Sequence, residues 1–274
     1  ATDGKRELAL KVLHPEQQVD EHQVARFLDE AERMRRVEHR CLVQILGAGM
    51  LPGGRPYIAM PRLEGRPLAR RLELGPFSFD QALPLFEGVA GAVDALHQAG
   101  LLHRDIKPEN VFFCEAKSPD GSGQAAVRLV LLDLGIARDT AANPSTTTRA
   151  GLMRGTPAYM APERLFGQPA TVRSDVYELA LLLYLMLTGR LPWEEGDPSA
   201  RLAPTLRQED RQRIPEQVAI TLLEALHADV NRRCQSVAEL LTHLRAASRS
   251  VGVSSANQQL SGPTLESNYA RSAS

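Results

Sequence analysis

Asp105, Lys107 and Asn110 lie within the run His103-Arg104-Asp105-Ile106-Lys107-Pro108-Glu109-Asn110. A potential proton acceptor, a phosphate-binding cation and a metal-binding amide thus fall within a few residues of one another. Together they suit phosphoryl transfer, in which a protein mainly positions groups and neutralises charge. A second carboxylate follows in Asp133-Leu134-Gly135, and a further ordered run is Gly155-Thr156-Pro157-Ala158-Tyr159-Met160-Ala161-Pro162-Glu163. Upstream stand Lys11, in Ala9-Leu10-Lys11, and Glu30, in Phe27-Leu28-Asp29-Glu30-Ala31. Taken singly, either of the last two reads as a solvated surface charge. Their place in an ordered series reverses that reading.

The elements that carry these residues follow from apolar periodicity. Glu7 to Leu13 alternates as a strand, with Lys11 on one face and Leu8, Leu10 and Val12 on the other. Val24, Phe27, Leu28, Ala31 and Met34 recur at helical spacing within about Val19 to Val37, putting Glu30 at the edge of the stripe. Strands are predicted at Leu42 to Leu46 and Tyr57 to Met60, the latter after the turn Pro52-Gly53-Gly54. From Leu63 the character turns helical. Ser78-Phe79-Asp80-Gln81 reads as a capping box opening a helix that tolerates Pro84 and ends at Gly100. Val111 to Phe113 and Val127 to Leu132 read as two short strands, so Asp105 and Asp133 sit at the ends of neighbouring elements. Further helices are predicted at Asp175 to Leu187, closed by Gly189, at Glu216 to His227 and at Ser236 to Ala246. Ser248 to Ser274, rich in Ser, Asn, Gln and Gly, reads as a disordered tail or linker.

The eight-residue loop, Asp-Leu-Gly, Ala-Pro-Glu and Ser174-Asp175-Val176-Tyr177, in one order over roughly Glu7 to Ala246, resemble a protein kinase of the bacterial Ser/Thr type. The resemblance implies an α+β, bilobal kinase-like fold. Residues 1–63 form a truncated small lobe of sheet plus helix, 64–247 a larger, mainly helical lobe, and 248–274 the tail. It also implies ATP and Mg2+, with Mn2+ as a substitute, and protein substrates.

Site roles carried over by the same resemblance are as follows. Asp105 orients the substrate hydroxyl and accepts its proton, and Lys107 meets the transferring phosphate. Asn110 and Asp133 hold the metal, as hard oxygen ligands for a hard cation. Lys11 contacts the ATP phosphates and is held by Glu30, with Asp29 as the alternative. Met60 is the gatekeeper of the adenine site, Pro61 and Leu63 offer backbone groups to the purine, and Ala9 and Phe112 are its apolar walls. Arg104 reads as an unpaired cation able to receive a phosphate placed on Thr146, Thr147 or Thr148. Glu163 pairs with Arg233, Asp175 anchors the catalytic loop backbone, and Thr156 supplies a structural hydroxyl. His103 packs beneath the site and is not a general base. His97, Cys41 and Cys114 read as filling.

Composition narrows the alternatives. Lys+Arg 32 against Asp+Glu 33 gives a formal charge of -1, so no nucleic acid or anionic membrane is indicated. The apolar run Leu179 to Leu187 is about half the ~20 residues of a spanning helix. Three separated cysteines with no C-x-x-C read as reduced thiols of a cytoplasmic protein, any membrane anchor lying outside this segment. Only ten residues precede Lys11, with Gly4 the sole glycine among them, so the Gly-rich loop expected before the lysine strand is absent. The expectation is an N-terminally incomplete Ser/Thr kinase whose present chain binds ATP weakly. A pseudokinase serving as a protein-binding regulatory module is the alternative. A small-molecule phosphotransferase is disfavoured by Ala161-Pro162-Glu163 and the long activation segment.

Overall fold

The computed structural model describes residues 7–13, 21–117, 125–132, 157–193 and 204–260. A small antiparallel sheet holds β1 (Leu8–Val12), β2 (Gly47–Leu51) and β3 (Arg55–Pro61) in the order β1-β3-β2. Against it lies α1 (Glu21–Arg35), whose buried stripe Phe27, Ala31 and Met34 joins Ile58 of β3 in the core. This stripe follows the helical spacing of the apolar residues, and Glu30 sits beside it, half-buried.

One expectation about this lobe is corrected. Leu42 to Leu46 does not form a strand of the small sheet, whose second strand instead begins at Gly47. The run is drawn toward the larger lobe: Leu42 makes an isolated parallel bridge to Leu131, and the Val43 amide donates to the Leu131 carbonyl at 2.9 Å. Leu42, Val43 and Ile45 are buried there, so their apolar character serves the core between the sheets. Leu8 and Leu10 are each 53% exposed, whereas Ala9 and Lys11 are half-buried. The alternation of β1 was read correctly, with Leu8 and Leu10 on its outer face and Lys11 on the other.

The larger lobe begins with β4 (Arg66–Pro67) and α2 (Leu68–Leu72). Strand β4 pairs with β5 (Val111–Lys117), which pairs in turn with β6 (Ala125–Leu131). Helix α3 (Phe79–Gln98) starts at the predicted capping box, with the Ser78 amide donating to Gln81 Oε1 at 3.2 Å. After α4 (Pro162–Leu165) comes α5 (Val172–Thr188), buried continuously from Ser174 to Leu187. A helix apolar on every side has no solvent face to offer, so α5 becomes the axis on which the lobe packs. It ends at Gly189, whose φ of 75° is the left-handed cap that glycine adopts without strain. Short α6 (Gln208–Arg211), α7 (Glu216–Ala225) and α8 (Val237–Leu260) complete the lobe. The backbone of α8 is helical past Ser248 as far as Leu260, which corrects the reading of that stretch as disordered.

Between the lobes the chain passes through Gly65, at a φ of 138°. A Cβ here would lie 2.2 Å from the Phe113 carbonyl oxygen of β5, a backbone atom with little freedom to retreat. Gly65→Ala is therefore expected to destabilise the domain by about 1 to 3 kcal/mol through forced backbone displacement. An unchanged denaturation midpoint would show that the connection is looser than this approach implies.

Candidate active site

The loop joining α3 to β5 carries Asp105, and its closing 3-10 turn, Pro108–Asn110, turns Asn110 back toward that residue. Asn110 Nδ2 donates to both Asp105 Oδ2, at 2.7 Å, and the Asp105 carbonyl, at 2.8 Å. Lys107 Nζ lies 3.2 Å from the same Oδ2. Two of the sequence-predicted residues thus converge on the carboxylate of a third, Asp105, whose side chain is 14% exposed.

The loop backbone is held from beneath. Asp175, fully buried on α5, accepts the His103 amide at Oδ2 and the Arg104 amide at Oδ1, both at 2.8 Å. Burial opposes its ionisation, but the hydrogen bond from His97, the electrostatic influence of His103 and His97 and the Arg104 amide outweigh it, holding the carboxyl below its ordinary range. Arg104 takes a φ of 67°, an αL conformation that a non-glycine residue keeps only where its surroundings compel it. Here its amide and its carbonyl are bonded to different partners, Asp175 and Arg164.

His103 is buried, and its Nε2 lies 2.8 Å from the Leu132 carbonyl oxygen. A carbonyl only accepts, so Nε2 carries the proton and Nδ1 is left to face the Asp105 amide at 3.4 Å. His103 therefore ties Asp105 to the end of β6. His97, read from sequence as filling, instead donates Nε2-H to Asp175 Oδ2 at 2.8 Å.

Two residues of this support went unnoticed in the sequence. Arg164 of α4 hydrogen-bonds the Arg104 carbonyl and lies 3.0 Å from Glu178 Oε1. Glu178 of α5 accepts the Ile106 amide at Oε2, 2.9 Å away. Burial, followed by the negative charge of Asp175, pushes the Glu178 carboxyl up to about 8. Its folded value lies above its ordinary 4.5, so its contribution to stability is complete below that value and lost as pH rises through about 8. A carboxylate inside an otherwise apolar helix was the available signal, since such a group requires a partner.

Above the loop, Glu30 accepts from Arg104 Nη1 at 3.2 Å. Arg104 is thus paired, contrary to the reading of an unpaired cation, and the pair joins the two lobes. Lys11 is half-buried on β1, opposite Ile58. Ala9 faces Met60 across the β1-β3 ladder, and Leu8 faces Pro61. Met60, Leu63 and Phe112 all pack partly buried against the core. Asp29 is exposed. Asp133, Thr146, Thr147, Thr148 and Thr156 lie outside the described residues.

Farther from the loop, Arg233 Nη1 and Nη2 meet Glu163 Oε1 and Oε2 at 3.0 and 2.7 Å. Burial opposes ionisation of Glu163, and the bonds from Arg233 and Ser174 more than offset it, lowering the carboxyl below its usual range.

A two-lobed α+β fold with a carboxylate, lysine and amide gathered on the loop between the lobes defines a phosphoryl-transfer domain of the protein kinase class. The protein kinase domain family matches residues 1–260, and the chain belongs to that family. Its relatives are of the serine/threonine type. Serine/threonine-protein kinase pkn2 of Myxococcus xanthus is 35% identical over 254 residues, 88% of this chain and 29% of that protein. PknK of Mycobacterium tuberculosis is 33% identical over 258 residues, 91% of this chain and 22% of that protein. The chain thus spans less than a third of the length of these relatives. Among solved structures, the Mycobacterium tuberculosis PknI kinase domain aligns with a TM-score of 0.64 at 27% identity, covering 88% of this chain and 85% of that one. Among the described residues no helix is long and apolar enough to cross a membrane.

Proposed function

We propose that the protein containing this domain transfers the γ-phosphoryl group of ATP to serine and threonine hydroxyls of other proteins. The observation that carries this reading is the convergence of Lys107 Nζ and Asn110 Nδ2 on Asp105 Oδ2. In the proposed reaction the substrate hydroxyl oxygen forms a bond to phosphorus as the bond from phosphorus to the β,γ-bridging oxygen breaks. The hydroxyl proton passes to the Asp105 carboxylate, and ADP leaves with the bridging oxygen and its electron pair. Lys107 offers its ammonium to the transferring group, and Lys11, held by Glu30, to the other phosphates. Ala9, Met60 and Phe112 enclose the purine, which Pro61 and Leu63 meet through backbone groups.

The donor chemistry fits a hard divalent cation. Asn110 spends its Nδ2 on Asp105 and so offers Oδ1, an oxygen of the kind that Mg2+ prefers, with Asp133 as the proposed second ligand. Bound Mg2+, or Mn2+ in its place, supplies neutralisation of phosphate charge. Regulation belongs to the same reading: phosphate on Thr146, Thr147 or Thr148 competes with Glu30 for Arg104 and orders the segment through charge-assisted bonds.

The full-length protein, given radiolabelled ATP and Mg2+, is expected to label protein substrates on serine or threonine and itself within Thr146 to Thr148. Replacing those three threonines by alanine is expected to lower activity without unfolding. Nucleotide binding with no transfer to any protein hydroxyl would favour a pseudokinase acting as a binding module. Full activity of an enzyme unmodified between Thr140 and Thr156 would remove the regulatory role.

A further inference from the structure

The catalytic loop is gripped on both sides of Asp105 by an arginine and a glutamate that bind each other and that no role assigned so far uses. Arg164 binds the carbonyl of the residue before Asp105 and Glu178 the amide of the residue after it, while the two side chains bind each other at 3.0 Å. The pair is closed off from water, with the Arg164 side chain 9% and that of Glu178 2% exposed. We propose that Arg164 and Glu178 are positioning residues: a two-sided clamp that fixes the peptides flanking Asp105 and so sets where its carboxylate meets the substrate hydroxyl. The assignment rests on the phosphotransfer reading above.

The geometry favours a directional role over mere filling. Asp175 already holds the two amides before Asp105, at His103 and Arg104. Arg104, whose αL conformation is the place where the chain changes direction, is the pivot beside Asp105, whose amide faces His103 Nδ1 and whose carbonyl accepts from Asn110 Nδ2. Arg164 and Glu178 restrain that pivot from either side. Arg164 also sits on α4, directly after Pro162-Glu163, so the clamp connects the end of the activation segment to the catalytic carboxylate. The charged and titratable groups around Glu178 are Arg164 on α4, Asp105 in the loop and Asp175 on its own helix, with His97 of α3 and His103 of the loop on the far side of Asp175. Buried ion pairs often stabilise no more than apolar packing of the same volume, which accords with a positioning role for this one.

A displacement of about 1 Å at a reacting group lowers a rate by about 100-fold. Four variants of the full-length protein test the clamp: Glu178→Gln, which keeps an acceptor for the Ile106 amide; Glu178→Leu, which keeps none; Arg164→Met; and the double variant Arg164→Met with Glu178→Leu. The double variant leaves no uncompensated buried charge and is the one chosen to remain folded. It is expected to lose about 10- to 100-fold in kcat with KM for ATP unchanged, and Glu178→Gln to lose less than Glu178→Leu. Amide exchange at Ile106, a readout independent of transfer, is expected to quicken in the double variant while exchange along the body of α3 does not. The decline of thermal stability between about pH 5 and 9 is expected to flatten in Glu178→Gln. A folded double variant with wild-type kcat or wild-type exchange at Ile106 overturns the clamp. Absence of transfer by the wild-type protein would instead defeat the phosphotransfer reading, leaving Ile106 exchange to decide the clamp alone.

Discussion

Asp105→Asn in the full-length protein is expected to lower the single-turnover rate by about two to four orders of magnitude with little change in nucleotide affinity. The substitution removes the group proposed to take the hydroxyl proton but preserves its shape. An asparagine at this position can still turn an oxygen toward Asn110 Nδ2, which now donates to Asp105 Oδ2 at 2.7 Å. The loop therefore keeps its fold, and the loss falls on chemistry. Calorimetry with Mg-ATP together with rapid-quench phosphotransfer separates the two effects. Equal transfer rates in the variant and the wild type would end the assignment of Asp105 as proton acceptor.

The second large effect concerns stability. The Arg233 guanidinium is fully enclosed and gives its N-H groups to Glu163 and to the carbonyls of Arg173, His227 and Ala228. It also lies over the Tyr177 ring, 4.8 Å from the centroid. Replacing Glu163 by alanine leaves that cation without its counter-ion and is expected to cost about 3 to 5 kcal/mol. For a domain of this size the midpoint should fall by about 6 to 20 °C. Joint replacement of Glu163 and Arg233 by methionine should recover much of the loss, because it removes both charges. The Glu163 carboxyl is held below its ordinary value of 4.5, so its share of stability is present above that value and lost as pH falls through the lowered one. Unfolding curves at neutral pH and near pH 3 measure both consequences. A Glu163→Ala variant as stable as wild type would mean that the pair contributes nothing net.

Much of the site was legible because its parts are close in sequence. His103 to Asn110 form one short loop, so spacing alone brings Lys107 and Asn110 to Asp105. The strand of Lys11 and the helix of Glu30 were visible because both carry strong periodicity. Of the long-range polar support, the Glu163–Arg233 pair and the Asp175 anchor followed from the family resemblance, and the rest was not visible in the same way. Arg164 on α4 resembles an ordinary helix-surface charge, and Glu178, though set in an apolar run, shows its partners only when α5 is found to be buried throughout. His97 likewise shows its role only when α3 is laid beside α5. The partner of Arg104 depended on how the two lobes meet, which no local pattern records.

The misread elements have local causes. The strand at Gly47-Ala48-Gly49 lacks the branched and aromatic residues that mark strands, and Gly49 lies beneath the Tyr57 ring, where an added Cβ would come within 3.2 Å of it. Leu42 to Leu46 has the composition of a strand but is used as interlobe core. The polar stretch after Ser248 has no apolar repeat, so its helical backbone as far as Leu260 follows from continuation of α8 and not from a pattern of its own.

The burial of α5 reaches beyond packing. Because Asp175 and Glu178 both belong to it, the frame of reference for the carboxylate proposed to react is the most enclosed of the described helices of the lobe. Local openings of a folded protein span energies from near zero up to that of global unfolding, and the most enclosed segments open last. The loop of Asp105, half-buried between solvent and α5, thereby inherits the opening energy of the interior. Heat or denaturant should then extinguish its alignment together with the whole lobe, in one cooperative step, while the small sheet with its uncovered Leu8 and Leu10 is free to loosen earlier.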